Sequence, residues 1–399
     1  MFGSRASAVI AIDTAGKEIH FYTKKRGAKN AFRHDIERYN ASPFGEEFFE
    51  KLAHVLKLYR ESNPTAPIDH PVLVVPDHVV CTDTVTIPFV KKAKVNSSVT
   101  LAINAIYKNS DQIKFTSYPL YQTKQNLSFG LVGMRRELLT RLRRVLGECQ
   151  ISPECISFAA NTAANGAMAL NSKLKNGTFL LMDVMENATR FSFVLKGKTV
   201  AFYSLPFGYA ILSPTQVVAE NTLFDHAAAE LLVLNAKERA RAKQLTGQQT
   251  EDEPQPPQEI EESAEDEQEE AAVKGSVAAD ITVEVAKRAG RKLPKYLQPP
   301  VPESGEGAVL ENFRIFVKWA LDLIRANGTL LSFGTLDTVY VNMPQEYAFL
   351  YDMINAEREE NGVSFAPLLA DGERYRAALN CLSLYGALYC KQYNKLNNF

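Results

Sequence analysis

Two short stretches of this chain follow one pattern. Ser7–Thr23, "SAVIAIDTAGKEIHFYT", and Phe179–Val194, "FLLMDVMENATRFSFV", each run as an apolar strand into one aspartate, turn through polar residues and return apolar. The aspartates are Asp13 and Asp183. Turns favour aspartate, and such a carboxylate often does no more than accept the N–H groups of its own turn. Two copies with similar flanks, one near each end of the first half of the chain, instead suggest paired hairpins serving a common cleft.

The rest of the chain bounds what can surround them. With 399 residues, two or three domains are expected. The composition, 46% hydrophobic and 23% charged, is that of an ordinary soluble protein. No stretch supplies the roughly 20 uninterrupted apolar residues of a membrane span, and the run before Asp13 is too short for a signal peptide. Five cysteines without a CxxC pair suit a reducing cytosol better than a disulfide framework or a zinc site. P-loop, GxSxG and HExxH motifs are all lacking. Between residues 251 and 270 eleven side chains are acidic and none basic, so the remaining chain carries +10 against a net charge of −1. The bases are dispersed, with no aromatic-interleaved stripe of the kind nucleic acid requires.

Before residue 245 strand-like and helix-like runs alternate, which indicates α/β architecture. Strands are expected at 7–12, 18–23, 71–75, 83–87, 129–133, 179–184, 189–195 and 199–205, with a hairpin turn at Gly197. Helices are expected at 46–61, 96–107, 135–147 (closed by Gly147) and 156–170. Residues 246–307 read as an acidic and proline-rich disordered linker. Beyond it come an amphipathic helix at 312–327 holding Trp319, a buried strand in "DTVYVNMP", and helices at 345–357 and 374–392.

The order of these pieces resembles the PilM family of type IV pilus assembly proteins, actin-like relatives of the cell-division protein FtsA. The resemblance rests on the Asp13 hairpin, the "HPVLVVPDHVVCTDTVTIPF" segment leading into an inserted subdomain, "LSFGLVGMRRELLTRLRRVLGECQISPECI", the Asp183 hairpin and "GKTVAFYSLPFG". It covers residues 7 to about 240 and, more faintly, 308 to 399. It implies an α/β actin-like two-lobed fold: a first lobe of 1–81 and 151–176, an inserted subdomain at 82–150, and a second lobe of 177–245 and 308–399 with the acidic loop inside it.

In such a fold each lobe offers an aspartate-tipped hairpin to the phosphates and Mg²⁺ of a nucleotide. The positions that match are Asp13, Thr14, Gly16 and Lys17 in the first hairpin, Asp183 and Met185 in the second, and Asn342 at the adenosine motif. All three motifs depart from the family. Ala15 and Met185 replace glycines, and Asn342-Met343-Pro344 replaces a Gly-Gly pair. Met185 is therefore expected to crowd the phosphate cradle, ATP and Mg²⁺ are not expected as cofactors, and hydrolysis is not expected. The resemblance further implies a cytoplasmic scaffold at the inner face of the cell membrane. Its groove would hold an N-terminal peptide of a membrane-anchored, PilN-like partner, with Val85, Ile87, Phe89, Phe129 and Leu131 as groove or subdomain-core residues. The alternatives are an ATP-binding actin-like ATPase and an FtsA-like division filament.

Overall fold

The structure, a computed structural model, describes residues 7–14, 16–24, 32–64, 68–107, 110–186, 189–205, 338–344, 364–369 and 376–390. In chain order the first half holds β1 (Ala8–Asp13), β2 (Glu18–Lys24), β3 (Phe32–Arg38), α1 (Glu46–Ser62), β4 (Val72–Val75), β5 (Val80–Pro88), α2 (Val95–Ile106), β6 (Ile113–Gln122), β7 (Asn126–Arg135), α3 (Arg136–Glu148), β8 (Cys155–Phe158) and α4 (Ala159–Leu170). The second half holds β9 (Phe179–Val184), β10 (Thr189–Leu195), β11 (Lys198–Leu205), β12 (Thr338–Asn342), β13 (Ser364–Pro367), α5 (Arg376–Leu379) and α6 (Leu382–Ala387). The expected linker at 246–307, the Trp319 helix and the helix at 345–357 lie outside the described residues, as does Ala15.

The two halves repeat one topology. One five-stranded sheet has the order β3-β2-β1-β4-β8, the other β11-β10-β9-β12-β13. In each, an antiparallel three-stranded meander is followed by two strands parallel to its first strand. Asp13 is the last residue of β1, and Asp183 the last but one of β9, the equivalent strand. The β10–β11 turn is built by Lys196 (φ 49°) and Gly197 (φ 74°). Left-handed conformation at both central positions matches the right-handed twist of a two-residue hairpin, and glycine adopts it without a Cβ penalty.

The sheets are covered where their strands demand it. On β2 the apolar Ile19 and Phe21 point to one face, and the ring of Phe21 stacks on Tyr59 of α1 at 3.7 Å between centroids. The opposite face of β1 and β4 (Val9, Ala11, Val72, Val74) packs on Leu384, Ala387 and Leu388. On the second sheet Leu181 and Val194 pack on Ala163, Ala167 and Met168 of α4. Helices α4 and α6 thus lie back to back between the halves. Glycines let them touch: a Cβ on Gly386 would stand 1.8 Å from the Thr162 carbonyl oxygen and 2.3 Å from the Gly166 nitrogen. The Thr162 and Ser383 hydroxyls hydrogen-bond at 2.6 Å beside this crossing.

A third sheet, β5-β7-β6, carries α2 on one face. Val85, Ile87, Phe129 and Leu131 are buried there against Val99, Ile103 and Tyr107. The buried Tyr107 hydroxyl donates to Asp83 Oδ2 at 2.5 Å, and Asp83 Oδ1 accepts the Thr84 N–H at 2.7 Å. A hydrogen bond to a buried carboxylate contributes about 1.5–3 kcal/mol. Tyr107→Phe is therefore expected to lower stability by about that amount, read as a lower midpoint in urea unfolding. A loss under about 0.5 kcal/mol would show that Asp83 is held by its other contacts. The sheet is tied to the second half by Tyr118, whose hydroxyl donates to the Thr199 carbonyl at 2.7 Å, and by Lys198, which donates to the Pro119 carbonyl at 2.6 Å.

Several elements differ from the sequence expectation. β3, "FRHDIER", is a sheet edge with polar residues on both faces, so it carries no period-2 signal. β6 and β13 were likewise not anticipated. The expected helix at 156–170 begins only at Ala159, after Cys155–Phe158 has added strand β8. Gly147 lies inside the last turn of α3 rather than closing it, with Cys149 as the cap. Helix α3, placed by sequence in the inserted segment, packs on α1. Within the expected 374–392 helix the described residues form two short helices, α5 and α6.

Candidate functional site

At the inner end of β9 the buried Asp183 meets a cation from its own hairpin. The β9–β10 register places Arg190 directly opposite Asp183, and Arg190 Nη1 donates to Asp183 Oδ2 at 3.2 Å. The other edge of the guanidinium reaches the first half, where Nε donates to Asp77 Oδ2 at 2.5 Å. Asp77 follows β4 and also accepts the Ala160 N–H at 2.7 Å through Oδ1, so it holds the first turn of α4. Asp183 Oδ1 accepts from Asn342 Nδ2 at 2.7 Å, and the same amide donates to the Leu379 carbonyl at 2.9 Å. Asp77, Asp183, Arg190 and Asn342 are all buried.

Each of the four carboxylate oxygens therefore accepts an N–H. Burial pushes the Asp183 pKa up, against the pull of Arg190 and Asn342. Burial also works against the charge of Arg190, but Asp77 and then Asp183 outweigh it and hold the guanidinium above its ordinary value. Asp13 adds to the same field on Arg190. A pair desolvated to this degree persists only when its geometry satisfies both partners.

The first hairpin is quieter. Asp13 Oδ1 accepts the Gly16 N–H at 3.2 Å, closing its own turn. Lys17 is exposed at φ 51°, Gly16 is exposed and Thr14 is half-buried. Met185 is half-buried after β9, and Met343 packs on the main core beside Val341. The group between Asp77 and Asp183 is thus Arg190, a charge. Both Asp183 oxygens are already hydrogen-bonded, and the charge of this carboxylate is paired with Arg190.

Asp77 and Arg190 are the residues that sequence reasoning missed. Arg190 had a signal: it is the one charge in the fully buried strand "TRFSFVL", in hairpin register with Asp183. Asp77 had none, because its partners Ala160 and Arg190 are remote in sequence. Of the candidate groove residues, Val85, Ile87, Phe129 and Leu131 lie beneath α2, whereas Phe89 is 53% exposed just past the end of β5. On α2 itself Leu101 is exposed as well.

No protein-family model and no curated protein matches the sequence. Solved structures do. A PilM–PilN type IV pilus biogenesis complex aligns over 99% of this chain and 99% of its own at 11% identity, with a TM-score of 0.52. The cytoplasmic domain of EpsL, an inner membrane component of the type II secretion system of Vibrio cholerae, aligns over 53% of this chain and 78% of its own at 10% identity and TM-score 0.35. The ethanolamine utilization protein EutJ from Carboxydothermus hydrogenoformans aligns over 97% and 91% at 11% identity and TM-score 0.36. At such identities the first of these establishes architecture. Its full-length match and the repeated sheet order together define an actin-like α/β fold, with the Arg190 cluster at the junction of its two halves.

Proposed function

We propose that this chain is a non-hydrolysing actin-like scaffold of a type IV pilus or related envelope machine, working at the inner face of the cell membrane. The observation that carries the non-hydrolysing part is the Arg190 guanidinium between Asp77 and Asp183. It neutralises, from within the chain, Asp183, one of the two hairpin carboxylates that a metal-bound triphosphate would need. The full-length likeness to a PilM–PilN complex supports the pilus role. Among the described residues no helix is long and apolar enough to cross a membrane, which fits attachment through a partner.

The partner is a single-pass membrane protein of the PilN kind, captured through its cytoplasmic N-terminal peptide. The three-stranded sheet suits extended-peptide capture, since its outer strands β5 and β6 have one paired side each within that sheet. Phe89 is the exposed apolar contact of this surface. Titration of the full chain with Mg²⁺-ATP in a calorimeter is expected to show no binding. Micromolar binding that disappears in an Asp13→Ala, Asp183→Ala double variant would overturn the reading in favour of an ATPase or filament protein. The scaffold role is tested separately by co-purification of the membrane partner. Phe89→Asp is expected to weaken that complex, and an unchanged yield would remove this surface from the account.

A further inference from the structure

A second cluster lies on the β1–β2 hairpin. Ligating atoms of Asp13, Glu18 and His20 all lie within 4.8 Å of one another, and all three residues are half-buried. Glu18 and His20 share a face of β2 because side chains alternate along a strand. Behind His20 stands His34 of β3. Its Nε2 is 3.1 Å from His20 Nδ1, and the two rings stack at 5.3 Å between centroids. His34 Nδ1 in turn faces Cys381 Sγ at 3.6 Å. Burial lowers the pKa of both imidazoles, in His20 against the opposing pull of Asp13 and Glu18.

We propose that Asp13, Glu18 and His20 form a divalent transition-metal site, suited to Zn²⁺, with His34 as its positioning residue. The contact between His20 Nε2 and Glu18 Oε2 is 3.6 Å. That is too long for a hydrogen bond. It is instead close to the roughly 3.4 Å that separates neighbouring ligands of a tetrahedral metal with bonds of about 2.0–2.2 Å.

The hydrogen-bond order agrees. Two ring nitrogens in hydrogen-bond contact share one proton, so one donates and the other accepts. With a metal on His20 Nε2, Nδ1–H donates to His34 Nε2, and His34 Nδ1–H points at Cys381 Sγ. Every contact is then satisfied outward from the cation, as metal-bound imidazoles ordinarily are. The reverse order ends on the unbonded 3.6 Å gap. Two carboxylates supply negative charge, partly offset on Glu18 by Arg38 at 3.1 Å. The imidazole favours Zn²⁺ over Mg²⁺ or Ca²⁺, which prefer oxygen. Three protein ligands leave a fourth position to water.

The test uses the full chain stripped by a chelator and titrated with Zn²⁺, Mg²⁺ and Ca²⁺ in a calorimeter. One equivalent of Zn²⁺ is expected to bind, with Mg²⁺ and Ca²⁺ at least about tenfold weaker. His20→Ala and, independently, Glu18→Gln are expected to weaken Zn²⁺ about tenfold or more. His34→Phe is expected to weaken it by about 10–100-fold, with His34→Gln restoring most of the loss through its amide oxygen, a rescue that a purely structural role would not show. Co²⁺ substituted into the site should lack a thiolate charge-transfer band. Affinity unchanged in both His20→Ala and Glu18→Gln, a thiolate band, or equal binding of Mg²⁺ would each overturn the assignment.

Discussion

Replacing Arg190 by methionine is expected to destabilise the fold by about 3–5 kcal/mol, the range for breaking a buried ion pair on one side only. The loss arises because Asp77 and Asp183, both buried, would each keep a charge whose counter-ion is gone. The deficit should depend on pH in a definite direction. Burial makes Asp183 hold its proton more tightly in the folded protein than in the unfolded chain. A carboxylate whose folded pKa is raised contributes stability below its unfolded pKa, and that contribution is lost as pH rises through the folded value. Without Arg190 the rise is larger, so the penalty of Arg190→Met is greatest at neutral pH and shrinks as the medium is acidified toward about pH 4. Urea unfolding of both proteins across that range measures it. A triple variant with Asp77→Asn and Asp183→Asn should recover part of the loss, since neutral amides tolerate burial better than orphaned charges. A deficit below about 1 kcal/mol, or one independent of pH, would mean that water reaches the cluster and that Arg190 is not the central tie between the halves.

Gly386→Ala is the second large effect. Its Cβ would stand 1.8 Å from the Thr162 carbonyl oxygen, 2.3 Å from the Gly166 nitrogen and 2.8 Å from the Gly166 Cα. All three are backbone atoms of α4, so no side chain can rotate away. Helices α4 and α6 must separate, and the cost should reach or exceed the upper end of the roughly 1–3 kcal/mol usual for overpacking. Because the first turn of α4 is held by Asp77, the shift also disturbs the Arg190 cluster. Gly147→Ala on α3 is the matched control. Nothing lies within 4 Å of the added Cβ, so it should stabilise by as much as about 1 kcal/mol through helix propensity alone. Thermal unfolding of the two variants beside the parent protein reads both. A Gly386→Ala protein within about 0.5 kcal/mol of the parent would show that the helix crossing is looser than these distances state.

Much of the fold was legible in the sequence where the physics is local. Strands β1, β2, β4 and β9 to β11 follow from period-2 or continuous apolar runs bounded by turn residues, and α1 from its 3.6-residue period. β3 escaped because an edge strand with both faces polar has no periodicity to read, and β8 because four residues running straight into α4 share its apolar character. The recurrence of an aspartate at the ends of β1 and β9 pointed correctly to a duplicated sheet. It did not point to Arg190, because volume is easily read from a residue name and charge pairing is not.

What the sequence by itself determined was the element pattern and the paired aspartates, since strand alternation, turn chemistry and capping depend on neighbours a few positions away. Only the tertiary structure decided what those aspartates do. Asp77 and Arg190 are 113 positions apart, and Asp183 and Asn342 are 159 apart. A buried charge takes its meaning from whichever partner the packing brings within hydrogen-bond reach, and a linear pattern carries no such distance.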